Sequence, residues 1–216
     1  MRLWLVMSAR VLLAVAMLAG LSQPALATRE YILPTLFDVE GVRADDVLNI
    51  RAEPSATAGI IGTLSADTRD IEVVEFDATG RWARINRDER TGWVAARYLA
   101  YQVGIWEDGG LPPSLVCHGT EPFWALRPAA EEITLSRPDH DEMRLPLRRV
   151  LSSPVFRDPR RVFAAGTGPG ANVTVFMTPK LCSDGMSDRL FGLEATVMLE
   201  TEIGAELLLG CCSIAP

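Results

Sequence analysis

Three cysteines, two aspartates and a methionine crowd the end of the chain: "KLCSDGMSDRLFG" spans Lys180–Gly192 and "GCCS" spans Gly210–Ser213. The fourth cysteine, Cys117, precedes His118, and Glu121 follows closely. Zinc sites use Cys-x2–4-Cys pairs or spaced histidines; here the only close cysteines are adjacent, and the histidines are His118 and His140. Thiol redox centres favour Cys-x-x-Cys at a helix start, which this chain lacks. Asp184 and Asp188 fall short of the run of oxygen ligands in a calcium loop, and "SDGMSD" is turn chemistry in which Asp184 and Ser187 cap backbone amides. A Cys117–His118 dyad fails because neighbours on a strand point apart. No metal ion and no cofactor is expected. The one acid–base pair worth carrying forward is Glu121 with Asp184, which would need one raised carboxyl pKa.

The remaining role for the cysteines is covalent. Arg2 and Arg10, the apolar run Val11–Leu21 and "ALA" at Ala25–Ala27 read as a signal peptide cut after Ala27. The apolar run is shorter than the ~20 residues of a membrane span, and no lipid-attachment cysteine sits at the cut. The expectation is an exported, periplasmic chain with no stable membrane insertion after cleavage. Exported chains meet oxidising conditions, where an even cysteine count means disulfides. If "ELLLGCC" is a strand, Cys211 and Cys212 face opposite sides, so each takes a separate partner from Cys117 and Cys182. Which takes which is open in the sequence; Cys117–Cys212 with Cys182–Cys211 is the preferred pairing.

Residues 1–27 hold two arginines and no acid, so the mature chain carries 19 basic against 28 acidic side chains, a net charge of −9. That balance excludes nucleic acid and an anionic membrane surface as general partners, both of which demand basic patches.

Two small all-β domains are expected to position these residues. From 38 to 101, short alternating runs are broken by Gly, Asp and Pro, the pattern of a small antiparallel barrel. Residues 102–115, with Gly109, Gly110, Pro112 and Pro113, read as a linker and hinge. From 116 to 216, six or seven further runs suggest a second antiparallel barrel. Pro146 assigns "MRLPLRRV" to an edge strand; "SDRLFG" reads as a helical turn, and "GTGPGAN", which lacks the lysine of a phosphate loop, as a hairpin turn.

"LNIRAEPS" at Leu48–Ser55, "IIGTL" at Ile60–Leu64, "GRWARI" at Gly80–Ile85 and "GWVAARYL" at Gly92–Leu99 together resemble the bacterial SH3 domain. That resemblance implies a five- to seven-stranded SH3-like barrel of a kind that often binds cell-wall or other extended peptide. Trp82, Trp93 and Tyr98 are the aromatic candidates for a groove, with core packing the competing role for both tryptophans. Arg51, Glu53 and Arg97 are candidates for contacting a charged peptide. "CHGTEPFW" at Cys117–Trp124, "CSDGMSD" at Cys182–Asp188 and "GCC" at Gly210–Cys212 resemble an uncharacterised bacterial envelope-protein domain, for which no activity can be carried over. Glu121, Trp124, Asp184 and Asp188 are its candidate ligand-binding residues, beside Phe123 and Met186. The expected protein is all-β, two barrels, the second stapled by disulfides. Its expected role is non-catalytic binding, with peptidoglycan or an envelope protein as partner. A cell-wall-targeted hydrolase or hydrolase inhibitor using Glu121 and Asp184 is the alternative.

Overall fold

The computed structural model describes residues 31–167 and 170–215; the signal-peptide expectation on 1–27 and the tip of "GTGPGAN" lie outside the described residues. The architecture is all-β, with one 3₁₀ turn at Ala96–Tyr98 as the helical element among the described residues. Residues 31–215 fall within one compact unit.

Seven strands form the first sheet: β1 (Thr35–Val39), β2 (Val47–Arg51), β3 (Ile60–Ser65), β4 (Ile71–Phe76), β5 (Trp82–Arg87), β6 (Arg90–Ala95) and β7 (Leu99–Tyr101), ordered β3-β2-β6-β5-β4-β1-β7. Alternation sets its inner face: in β5, Ala83 and Ile85 are buried while Trp82, Arg84 and Asn86 are less so. Phe37, Ile50, Val73, Ile85 and Val94 fill the core. Asp77 shapes the β4–β5 turn by accepting from the amides of Thr79 and Trp82.

Eight strands close the second barrel: β8 (Val116–Thr120), β9 (Phe123–Pro128), β10 (Glu132–Ser136), β11 (Met143–Ser152), β12 (Arg161–Gly166), β13 (Asn172–Cys182), β14 (Phe191–Thr201) and β15 (Gly204–Ser213). The strand beyond the expected count is β8, where Gly119 hides the alternation. Closure leaves no edge for Pro146. It sits on β11 opposite Glu132 of β10, just before pairing to β12 begins at Leu147. Leu147 N donates to Glu131 O of the β10 side at 2.7 Å, and the β11–β12 register begins only at Leu147, so the proline interrupts no ladder bond there.

Cys117 is bonded to Cys212 and Cys182 to Cys211. Cys212 lies opposite Cys117 in register and joins the barrel interior. Cys211 turns outward and ties down the start of the segment 183–190. That segment forms no helical turn. It runs across to the first sheet, where Asp188 bridges Arg90 in parallel. Thr91 N donates to Asp188 O at 3.2 Å and Asp188 N to Glu89 O at 3.1 Å. Asn86 completes the clasp, donating to Leu190 O at 2.7 Å and accepting from Leu190 N at 3.1 Å.

The joining stretch is fastened rather than free. Trp106 Nε1 donates to Pro34 O at 2.7 Å, and Arg161 of β12 lies over the Trp106 ring at 5.2 Å. Arg161 also donates to the carbonyls of Glu107 and Gly110 at 3.0 and 3.1 Å. Its aromatic and backbone partners hold the Gly-Gly turn that composition alone marks as a hinge.

Glu72 of β4 is buried at the junction and accepts from Ser213 Oγ at the end of β15. Burial pushes its carboxyl above the ordinary value of 4.5, against hydrogen bonds from Ser213 and the amides of Ile214 and Ala215. A carboxyl raised on folding stabilises the fold fully below its ordinary value, and that contribution is lost as pH rises through the raised value. The stability of the wild type relative to Glu72→Gln is therefore expected to fall with pH from 4.5 upward. The slope is at most about 1.4 kcal/mol per pH unit. Urea denaturation of both proteins across pH 4–8 checks this; parallel curves would refute it.

Candidate functional site

Two surfaces collect the candidate residues. The first is a cleft of about 400 Å³ on the SH3-like sheet, lined in part by Arg51, Trp82, Arg97 and Tyr98. Trp82 reaches it because β5 alternates, placing the indole on the face away from Ala83 and Ile85. Tyr98 is delivered by the 3₁₀ turn after β6. Arg97 lies over the Tyr98 ring at 4.6 Å and donates to its hydroxyl at 3.1 Å. Arg51 is held by donating to Ala58 O at 2.6 Å. Asp46 and Asn49 add acceptors to the same walls, which motif reading passed over because they precede and interrupt the "LNIR" landmark. Trp93 is elsewhere: it is buried, with Arg84 over its ring at 4.5 Å. Glu53 is exposed and lies outside this lining.

The second surface is on the outside of the barrel, where the segment after Cys182 lies against β8. Glu121, Phe123, Asp184 and Met186 line a cleft of about 720 Å³ together with His118 and Glu194. Asp184 is locked by an Asx turn, its Oδ1 accepting from the amides of Met186 at 3.0 Å and Ser187 at 3.1 Å. Thr120 Oγ1 donates to Asp184 O at 2.9 Å, pinning the turn to β8. Burial works to raise the Asp184 carboxyl, but the two amides and the Ser187 hydroxyl outweigh it and hold the group below its ordinary value. His118 Nε2 lies 3.7 Å from Asp184 Oδ2. Burial lowers the His118 pKa against the opposing pull of Asp184, so the imidazole is neutral at neutral pH. An ionised carboxylate fixed by backbone amides is an acceptor and a countercharge, and a poor proton donor. Both cysteine pairs are oxidised, which removes the thiols as nucleophiles.

Trp124 does not line this cleft. Its indole points into the barrel and packs over Gly119 and Gly210, donating Nε1–H to Leu209 O at 3.2 Å. A Cβ on Gly119 would lie 2.2 Å from that nitrogen, which gives the glycines of "CHGTEPFW" and "GCC" one shared packing role. Asp188 also lies apart, exposed at the clasp with β6. Glu194 carried no signal in the sequence, since it is one outward residue of a regular strand.

Among the described residues, no helix is long and apolar enough to cross a membrane, and no group of three or more His, Cys, Asp or Glu is placed to hold a metal ion. A family model for the bacterial SH3 domain matches residues 46–100, covering β2 to β7. That part of the chain is similar to bacterial SH3 domains, which points to a binding module. No curated protein and no solved structure matches the chain.

Proposed function

We propose that the protein is an exported, periplasmic, non-catalytic binding protein whose SH3 domain contacts cell-wall or other extended peptide. The domains are residues 38–101 and 116–216, joined through 102–115 after removal of 1–27. The observation that carries this reading is the cleft where Trp82 and Tyr98 stand beside Arg51 and Arg97. Aromatic faces grip an extended backbone, and guanidinium groups pair with carboxylates of a charged peptide. Two disulfides support an oxidising compartment.

The hydrolase reading is the weaker one. It requires a carboxyl poised to give up a proton, and Asp184 is held in the opposite sense. The second barrel is accordingly a binding platform, with an envelope protein or small ligand as its target.

Sedimentation with purified peptidoglycan tests the proposal. The mature chain is expected in the pellet, and Trp82→Ala with Tyr98→Ala is expected to weaken binding by about tenfold or more. Arg97→Glu, at an exposed position, is expected to shift binding the same way, since it removes both the charge and the contact with the Tyr98 ring. A wild-type chain that stays in the supernatant defeats the wall-binding reading.

A further inference from the structure

A closed barrel of an exported protein is expected to be polar outside, yet one side of this one is not. Phe123, Phe176, Met186, Met198, Leu207 and Leu209 are between 38% and 69% exposed. Register places them together. Phe176 of β13 faces Thr196 of β14, which faces Leu209 of β15, and Met198 faces Leu207 in the adjoining row. Leu209 then borders the polar cleft with Phe123 and Met186. Phe123 and Met186 also wall a second hollow of about 430 Å³ with Trp124, Ala125 and Pro138; His118, Thr120, Ser136 and Arg137 share its lining, and the Arg137 charge is taken up by Glu206. Contiguous apolar surface of this kind marks an interaction face.

Charge selects the occupant. Glu194 is paired with Lys180 at 2.6 Å and Glu206 with Arg137 at 2.7 Å. Glu121 is left at the cleft beside Asp184, which among the described residues has the neutral His118 imidazole, and no arginine or lysine, within ion-pair distance. Arg127 and Arg189 act on His118 but line neither hollow. The face thus offers an apolar socket adjoining an anionic one. An anionic bilayer would be repelled by the carboxylates, and a second copy would set the same acids against each other.

We propose that this face of the second barrel binds a polypeptide segment carrying a large apolar side chain within two residues of a lysine or arginine. The apolar group fills the hollow between Phe123, Met186 and Pro138, and the cation enters the cleft beside Glu121 and Asp184. The proposal rests on the reading of the second barrel as a binding platform; it does not depend on the groove of the SH3 domain.

Selection of a displayed library of random dodecapeptides on the immobilised mature chain tests it. Enriched peptides are expected to share the apolar–basic pattern. Their synthetic forms should bind about tenfold or more weakly to Phe123→Ser and to Glu121→Gln, weaken with salt, and bind Arg97→Glu unchanged. Phe123 and Glu121 are both exposed, so these variants keep the fold. Failure to enrich, enrichment without the pattern, or loss of binding in Arg97→Glu would overturn the proposal. So would binding of the chain to phosphatidylcholine vesicles, or a dimer in solution, that Phe123→Ser abolishes. Loss in Arg97→Glu alone would leave the SH3 groove as the peptide site and so separates the two readings.

Discussion

Replacing Cys117 and Cys212 together with alanine is expected to lower the unfolding free energy by about 5 kcal/mol. The bond joins residues 95 apart in sequence. Releasing a loop of that length returns roughly 4–5 kcal/mol of conformational freedom to the unfolded chain in the loop-closure account. The pair also lies in the barrel interior, so truncation to alanine leaves unfilled volume where dispersion contacts were made. The Cys182–Cys211 bond spans 29 residues, and its removal is expected to cost about 3–4 kcal/mol by the same argument. A domain of this size is stable by only about 5–15 kcal/mol, so the first double variant is expected to lie near its unfolding transition. Urea denaturation under non-reducing conditions measures both. Equal costs, or a larger cost for Cys182–Cys211, would show that loop closure does not govern this barrel. The second variant has a local signature as well. Cys182 tethers the segment that carries the Asp184 turn and the Asp188 clasp, so amide exchange is expected to rise across 183–190.

Gly210→Ala is expected to cost about 3 kcal/mol or more. A Cβ at this position would sit 1.9 Å from the carbonyl oxygen of His118 and 2.8 Å from the Trp124 indole. The first obstacle is backbone of the adjoining strand, held by the pairing of β8 with β15, and cannot rotate away. The second is a buried ring packed on the glycine. Gly119→Ala meets the same indole and the carbonyl of Leu209 at 2.4 Å, so it is expected to be comparably severe. Gly59→Ala, with nothing within 4 Å of the added carbon, is the control and is expected to change stability by less than about 0.5 kcal/mol. Thermal unfolding of the three variants checks the ranking. A tolerated Gly210→Ala would mean that the indole does not pack over the β8–β15 seam.

Much of this was written in local pattern. Alternation in "WARIN" and the turn residues of "DATG" specify a strand and its hairpin, because period-two burial and turn chemistry act over a few residues. The same reasoning places Cys211 and Cys212 on opposite faces of one strand and so demands separate partners. It falters where a long-range partner decides. Pro146 looks like an edge marker until closure of the barrel removes the edge. "SDRLFG" looks like a helical turn until β6 offers Asp188 a backbone partner. Trp93 looks like a binding aromatic until burial claims it.

The residues alone determined the strand pattern, the separate pairing of Cys211 and Cys212 and the SH3 landmarks, since each depends on neighbours within one element. Only the tertiary structure decided which surfaces exist. Phe123, Phe176 and Leu209 lie on three strands and become one apolar face through sheet register, while Glu121 and Asp184 meet across a cleft because a disulfide and an Asx turn lay one segment over another strand. A surface built from residues distant in sequence has no local periodicity to announce it, and its energy is settled only when closure brings those strands side by side.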